Sequence, residues 1–562
     1  MEELSLAKKA RSMFKKLEEI RKPYESDWEQ IAQYIYYRRE FFPLEDQQGK
    51  SIARDKYDGT ASQAATNLVH GFQGYMVSQS IKWLDLDFED QELEEYPEAM
   101  QWLEDLIHYL YEVFKKTNFY SATNENLMDA ICFDSCLYCE NDEEKGKIIY
   151  SERHPIEMYI AVNRYGIADT IFRKYKMSAR EIVKQFPEGN ISNKVKEDAE
   201  KSARMYNEHI IIHGVFPNED KVVGSKRSKN KAFRSIYYEE NAENEDLLLN
   251  DSGYDSNPYI KWWWDRNSTE WYSRTPSHNA LPETLALNKV EKNVLAAVEK
   301  AVNPPIYAPG KNRGQIRTYP NAVNYYQNYE AERIEAIHQG IQLPITMEER
   351  EDIRNKIRRY FFNDFFLILS QLLQKQKTAT EILEVQAEKA VVISPIIGRY
   401  ETHFLDPTIE RTYQIESEAG RIPEIPPVLE DYAGKRNEEG RSSRINIKYI
   451  GPLATLQERL YKTKGVVHTL SSITPMAELQ TVNAPILDKF DFDAMAEEIA
   501  RTQGMPAKAI RSDKDVEKLR EARARAQQAM QQAEMMEKGA DAVPKLGKKI
   551  EKGSMLDQII GG

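Results

Sequence analysis

Three cysteines close together have the clearest potential for metal chemistry in this sequence. Cys132, Cys136 and Cys139 have the spacing C-x3-C-x2-C, with an aromatic residue before the last thiol, which is a pattern that can hold an iron–sulfur cluster. Three thiolates bind such a cluster only if the segment folds around it as a loop. Here the segment continues a helical pattern from Leu127 and Met128, and free cysteine is among the most buried residue types. We therefore expect three buried thiols and no metal.

Two other short motifs lack a part that their chemistry requires. The tripeptide Gly-Lys-Ser at 49–51 imitates the end of a phosphate-binding loop, but Leu44 stands where the first glycine is needed. Asp85 and Asp87 could bind a metal, although acids that alternate on the solvent face of a strand explain them more simply. The sequence contains no HExxH or GxSxG motif. It predicts a protein without catalytic residues, metal or cofactor.

The composition is that of a globular protein, with 562 residues, 41% of them hydrophobic and 30% charged. The net charge of −13 argues against a protein that grips nucleic acid over most of its surface. Three cysteines are too few for a disulfide framework, which favours a reducing compartment. Apolar runs such as 365–373 are shorter than the roughly 18 residues that a membrane span needs. We expect a soluble protein that makes no membrane contact.

Two long helices on either side of a short excursion are the most informative predicted elements. Apolar residues at steps of three or four predict one helix over 283–302, ended by the prolines at 304 and 305, and another over 346–373. The excursion, 304–345, is rich in Pro, Gly, Asn and Tyr. The residues that we expect to pack along the two apolar stripes are Val290, Val294, Ile357, Phe361, Phe365 and Ile368.

The remaining segments predict a mixture of helices and strands. An amphipathic helix is expected over 5–37 and helical structure over 99–131. Alternating residues predict strands over 147–175, a further strand is expected over 209–216, and Ser178 with Glu181 forms a capping box that begins a short helix. The expected fold class is α+β, predominantly helical.

Seven short sequence segments occur in the same order along the chain as in the proteins of one known family. They are 28–35 (WEQIAQYI), 58–65 (DGTASQAA), 81–86 (IKWLDL), 270–276 (EWYSRTP), 378–382 (TATEI), 420–426 (GRIPEIP) and 451–454 (GPLA). In this order they resemble the portal, or head-to-tail connecting, proteins of podoviruses over most of the chain. Two departures are Ser273, where glycine is usual, and 78–80 (SQS), where a proline often precedes the tryptophan.

The resemblance implies a dodecameric ring whose subunit has wing, stem, clip and crown regions. The corresponding segments are 1–282 (wing), 283–303 (stem helix), 304–345 (clip), 346–373 (stem helix), 374–378 (channel loop), 379–443 (wing helices), 444–540 (crown) and 541–562 (flexible tail). The implied function is that of a virion protein at one capsid vertex. It would nucleate procapsid assembly, dock the terminase for genome packaging, and form the channel and tail attachment for DNA ejection.

The same resemblance gives two loops a role. Gln374, Lys375, Gln376 and Lys377 would face the channel, where a ring repeats each lysine as a band of positive charge that touches DNA phosphates without reading sequence. Lys311, Arg313 and Arg317 in the clip would meet an acidic partner, either the terminase or a tail adaptor. The other partners implied are the major capsid and scaffolding proteins. Solvated loops explain either group of cations equally well.

Two alternatives remain open at the level of sequence. One is a radical-SAM-like enzyme or other metalloenzyme that uses Cys132, Cys136 and Cys139. The other is a tail adaptor or scaffold, although such proteins are usually shorter and lack two long helices around an excursion.

Overall fold

The computed structural model describes most of the first 450 residues and a short C-terminal stretch. The described residues are 5–37, 55–90, 93, 96–142, 146–222, 225, 227–302, 306–307, 335–336, 347–364, 392–429, 445–451, 516, 518–526 and 528. The chain divides into two compact units, Met1–Gln457 and Glu458–Gly562. Nearly all described residues belong to the first unit.

Helices and strands are both abundant in the first unit, which confirms the α+β class. The helices are α1 (Leu6–Tyr34), α2 (Thr60–Met76), α3 (Pro97–Lys116), α4 (Phe119–Cys132), α5 (Ala179–Gln185), α6 (Asn193–Glu200), α7 (Pro276–Val302), α8 (Met347–Tyr360), α9 (392–400) and α10 (Asp406–Glu418). The strands are β1 (Leu84–Phe88), β2 (Leu137–Asp142), β3 (Lys147–Glu152), β4 (Met158–Val162), β5 (Ala168–Ser178), β6 (Glu208–Pro217), β7 (Phe233–Glu239), β8 (Asn250–Tyr254), β9 (Tyr259–Ile260), β10 (Ile306–Tyr307), β11 (Glu335–Ala336) and β12 (Ile445–Tyr449).

The amphipathic helix predicted at the N-terminus is confirmed as α1. The Ser5 side chain accepts a hydrogen bond from the backbone N–H of Lys8 at 3.4 Å and so satisfies one of the free donors of the first turn. Leu17, Trp28 and Ile31 are buried on the predicted apolar face. This face packs against β4 and α7, which places α1 across the centre of the unit.

A five-stranded antiparallel sheet in the order β4-β5-β6-β7-β8 follows the helical N-terminal part. The strands predicted in 147–175 and 209–216 are confirmed. The capping box is also confirmed, since Ser178 and Glu181 bond each other's backbone N–H at the start of α5. The helical stretch predicted over 99–131 is divided, because α3 ends at Lys116 and α4 begins at Phe119.

A small two-stranded sheet joins distant parts of the sequence. Strand β12 pairs antiparallel with β1, with Leu86 opposite Ile447. Residues 445–449 therefore belong to the first unit, which continues to Gln457, and a boundary at 444 is not where the chain divides. Sequence patterns missed this pairing because more than 350 residues separate the two strands.

Candidate functional site

The three cysteines do not form a metal site. Helix α4 ends at Cys132, so the helical pattern does not continue through the motif as predicted, and Cys139 lies on β2. All three thiols are buried. Burial raises the pKa of Cys139 to about 12 and that of Cys136 well above its usual value, so both thiols keep their protons in this environment and are poor nucleophiles.

The metalloenzyme alternative is therefore not supported. Within the described residues, no group of three or more His, Cys, Asp or Glu side chains could hold a metal ion. The Cys132 thiol instead lies 4.0 Å from the Met128 sulfur, and the backbone N–H of Cys136 donates to a Glu152 carboxylate oxygen at 3.3 Å.

Asp85 and Asp87 alternate with buried residues on β1, as the sequence predicts. The Asp85 carboxylate accepts a hydrogen bond from the N–H of Leu86 at 3.1 Å, and Asp87 accepts one from Phe88 at 3.0 Å. Asp87 also forms an ion pair with Lys448 on β12. Both acids thus accept hydrogen bonds from the backbone of their own strand, and Asp87 also binds the opposite strand.

The segment 270–276 holds the start of α7 in place. Arg274 donates to the Glu270 carboxylate at 2.6 Å across one turn, and this hydrogen bond lowers the pKa of Glu270. Tyr272 is buried, and its hydroxyl accepts the N–H of Ile160 on β4 at 3.2 Å. Pro276 then begins α7, where proline costs nothing because its missing N–H would be unpaired anyway.

The hydroxyl groups of Ser273 and Thr275 also hold the start of α7 in place. Ser273 accepts the N–H of Trp264 at 3.0 Å, a bond that the glycine usual in the resembled family could not make. Thr275 donates to the carbonyl of Cys132, at the end of α4, at 3.1 Å. Helix α7 consequently begins at Pro276, seven residues before the predicted start at 283, and its first turn is fixed to both α4 and the loop before it.

Ion pairs fix α7 against α8 and against the start of α2. The Glu291 carboxylate on α7 accepts from Arg354 at 2.7 Å and lies 3.3 Å from an Arg350 nitrogen. Arg354 also reaches Asp58 at 3.1 Å. Burial alone would raise the pKa of Asp58, but hydrogen bonds from Thr60 and Arg354 outweigh it and lower the pKa. The carboxylate therefore stays charged and keeps its arginine.

This network was missed by sequence reasoning. The available signal was the repeat of arginines on α8 at Arg350, Arg354 and Arg358, four residues apart, which puts them on one face. Their partners Asp58 and Glu291 lie far away in sequence, so no spacing could have identified them.

The apolar stripe of α7 changes from buried to exposed along the helix. Leu287 is fully buried, and Val290 and Val294, both predicted as packing residues, are half-buried. Farther on, Leu295 is 49% exposed, Val298 50% and Val302 72%. The second half of α7 therefore carries an apolar face that no described part of the chain covers.

Helix α8 is shorter than predicted. Ile357 and Phe361 are buried, but α8 ends at Tyr360, and Phe362 adopts a left-handed backbone with φ 53°. In a continuous helix Phe361 and Phe362 would point about 100° apart. The turn instead allows Phe362 to pack near Trp264, with ring centroids 6.3 Å apart. The single helix predicted over 346–373 is therefore interrupted at 361–362.

Several predicted site residues lie outside the described part of the structure. They are Phe365, Ile368, the loop residues Gln374, Lys375, Gln376 and Lys377, the excursion residues Lys311, Arg313 and Arg317, and the tripeptide 49–51. Within the excursion, β10 and β11 pair antiparallel, with Ile306 opposite Ala336, so the 27 residues between the two strands begin and end at neighbouring positions. Among the described helices, none combines the length and apolar character needed to cross a bilayer.

Comparison with known proteins identifies close counterparts over nearly the whole chain. The family model described as "Bacteriophage head to tail connecting protein" matches residues 7–510. The probable portal protein of Bordetella phage BPP-1 is 26% identical over 531 residues, which cover 94% of this chain and 93% of that protein. The portal protein of Salmonella phage epsilon15 is 26% identical over 537 residues, with the same coverage of each chain.

Proposed function

Since this chain belongs to the family of bacteriophage head to tail connecting proteins, the portal proteins of phage capsids, we propose that twelve copies form the ring at one capsid vertex. The family is structural rather than enzymatic. In the proposed role the ring nucleates the procapsid, docks the terminase, and provides the channel through which double-stranded DNA enters and leaves. The subunit is made in the host cytoplasm and ends in the virion.

The exposed half of the α7 stripe is the observation that carries the proposal of a ring. Leu295, Val298 and Val302 lie at steps of three or four on one side of the helix, exposed in the single chain. An apolar face of this kind is stabilised when a partner covers it. Copies arranged around an axis place the α7 of one chain beside the helices of the next, which buries every stripe at once.

The regions of the subunit follow from this arrangement. The α7–α8 pair is the start of the stem, the excursion 304–345 is the clip, and the parts around the five-stranded sheet form the wing. The segment 444–540 would supply the crown, as the resemblance implies, and most of it lies in the C-terminal unit that begins at Glu458. The ion pairs of Glu291 with Arg350 and Arg354 support this, since they fix the two helices side by side as one rod.

The net negative charge of the chain is consistent with a channel through which DNA passes. A net charge of −13 repels a polyanion and so opposes tight binding to most of the wall. Lys375 and Lys377 in the channel loop would provide brief, sequence-independent contacts with phosphates. Lys311, Arg313 and Arg317 in the clip would contact acidic surfaces of the terminase during packaging and of the tail adaptor afterwards. Major capsid and scaffolding proteins would surround the wing.

The decisive experiment is imaging of the purified protein together with one substitution in α7. Negative-stain electron microscopy and native mass measurement should give rings of the wild-type chain. Val298→Asp should leave folded monomers, because it places a charge in the face that neighbouring copies cover. Lys300→Asp is the matched control, since it adds the same side chain about 200° away around the helix.

The two variants separate loss of assembly from loss of folding. Circular dichroism should be the same for both, and only Val298→Asp should fail to form rings. A wild-type protein that stays monomeric at high concentration, or rings that tolerate Val298→Asp, would contradict the proposal.

A further inference from the structure

A rigid turn at the tip of the β4–β5 hairpin presents two apolar side chains to solvent. The Asn163 side-chain oxygen accepts the N–H groups of Tyr165 at 2.9 Å and Ile167 at 3.1 Å. The backbone N–H of Asn163 donates to the Ile167 carbonyl at 2.9 Å. Tyr165 is nevertheless 70% exposed and Ile167 53%.

Arg266 fixes the same turn from outside the hairpin. Its guanidinium donates to the carbonyl of Gly166 at 2.7 Å, and Gly166 has a φ of 81°. A Cβ at Gly166 would lie 2.3 Å from this guanidinium, so only glycine leaves room for it. The fixed turn needs Asn163, Gly166 and Arg266, but not an aromatic ring at 165 or isoleucine at 167. We call residues 164, 165 and 167 the knob.

A groove elsewhere on the first unit has chemistry that matches the knob. It has a volume of about 460 Å³ and lies between α1 and the segment 269–274. Its lining residues are Ile20, Pro23, Tyr24, Asp27, Thr269, Trp271 and Arg274. The walls are thus apolar and aromatic, with one acid and one cation.

The charges in the groove leave the acid available. Arg274 is bound to Glu270 at 2.6 Å, so its positive charge is already balanced. Asp27 makes no ion pair with any described residue of the chain. Arg164 in the knob is exposed and makes no ion pair with the described residues either, and its guanidinium lies 4.5 Å from the Tyr165 ring.

We propose that the knob of one chain docks in the groove of a second copy, with Tyr165 against Tyr24 and Trp271, and Arg164 paired with Asp27. This inference rests on the proposed ring, for which it names one contact between subunits. Aromatic side chains on a pre-formed turn bind with a small loss of conformational entropy. The hydrogen bonds from Asn163 and Arg266 hold the backbone of the knob in one conformation.

Crosslinking between two single-cysteine chains tests the contact. Chains with Ile167→Cys in the knob and chains with Thr269→Cys in the groove, which leave Tyr165, Arg164 and Asp27 in place, are mixed before assembly, and the rings are treated with a short bismaleimide. The native thiols are buried, so only the introduced cysteines should react under native conditions. We expect dimers that contain one chain of each kind. The control pairs Thr269→Cys with Tyr206→Cys, which replaces a largely exposed residue outside the knob.

Charge reversal gives an independent measurement. Arg164→Glu alone, or Asp27→Lys alone, should raise the concentration needed for half-assembly by about tenfold, and the two substitutions together should restore it. Neither side chain is needed for the fold, because neither makes an ion pair in the described single chain.

The outcomes distinguish this inference from the ring itself. Rings of the cysteine chains without crosslinks above the control, or assembly that is indifferent to charge reversal, would overturn the knob contact alone, provided that the wild-type chain forms rings. A wild-type chain that forms no oligomer would overturn both proposals.

Discussion

Glu401 illustrates how the fold changes the chemistry of a single side chain. It begins a π-helical turn, Glu401–Leu405, between α9 and α10, a conformation that is rare and costs favourable hydrogen-bond geometry. Burial and, to a smaller extent, the charge of the neighbouring Asp406 together raise the pKa of Glu401 to about 7. Tyr449 of β12 donates a hydrogen bond to Asp406 at 2.5 Å, so the turn also holds the small β1–β12 sheet.

This carboxyl should make stability depend on pH. The folded pKa lies above the ordinary value of 4.5, so its contribution to stability is fully present below about pH 4.5 and is lost as pH rises through 7. We expect the wild-type protein to lose about 1–2 kcal/mol between pH 5 and 8, after allowance for solvent screening. Glu401→Gln cannot ionise and should flatten this dependence. Thermal unfolding midpoints across this pH range measure it.

Glu299→Gln is the control for that measurement, because Glu299 is exposed on α7. It should reproduce the wild-type pH profile. A Glu401→Gln protein with an unchanged slope would show that Glu401 is ionised in the folded chain across the range.

At the scale of elements, α7 and α8 behave as one paired unit with two different ends. The end near α2 is fixed by Asp58, Arg354 and Glu291, whereas the far end of α7 exposes its apolar side chains. A helix pair that is fixed by ion pairs at one end and exposes apolar side chains at the other is stabilised when further copies of the chain cover the exposed end. We therefore expect substitutions of residues buried in the single chain to lower its stability, and substitutions on the exposed apolar face of α7 to prevent ring assembly.

Ile357 tests the anchored end. It is the fully buried residue at the centre of the contact of α8 with its neighbours, and Ile357→Ala should cost about 2–4 kcal/mol by leaving a cavity. The loss should appear as a lower thermal unfolding midpoint in protein that is still able to form rings at low temperature. Ile353→Ala, one turn earlier and only partly buried, should cost markedly less. Equal effects would mean that α8 packs differently from the arrangement described.

At the scale of the whole molecule, the proposed function requires an assembled wall that lets DNA pass. The net negative charge of the chain and the two lysines of the channel loop would separate these tasks, because repulsion keeps DNA mobile while a few contacts guide it.

Lys375→Ala with Lys377→Ala should leave ring assembly intact and reduce the retention or packaging of DNA. The reason is that the two positive bands would disappear while the interfaces between subunits stay unchanged. In vitro packaging, or the fraction of filled capsids, measures the effect, with Lys289→Ala and Lys292→Ala on α7 as the matched control for loss of two cations. Failure of the loop variant to assemble would show that these lysines support folding or subunit contacts instead.

The local elements could be predicted because their causes are local. The apolar spacing of α1, the alternation of β5 and β6, the capping box at Ser178 and the prolines after α7 each act within a few residues. The ordered motifs along the chain also indicated the family, which the match over 7–510 shows. The candidate channel-loop and clip residues remain predictions from that resemblance.

The sequence by itself determined which segments form most of the helices and strands and which family the chain belongs to, since periodicity, caps and motif order are written along the chain. Only the tertiary structure decided that β12 pairs with β1, that Asp58 meets Arg354, that α8 stops at Tyr360, and that the end of the α7 stripe is uncovered. Each of these depends on which distant surfaces come together. Such long-range contacts depend on how the whole unit packs. Because packing between distant segments leaves no periodic pattern in either segment, the sequence does not reveal them.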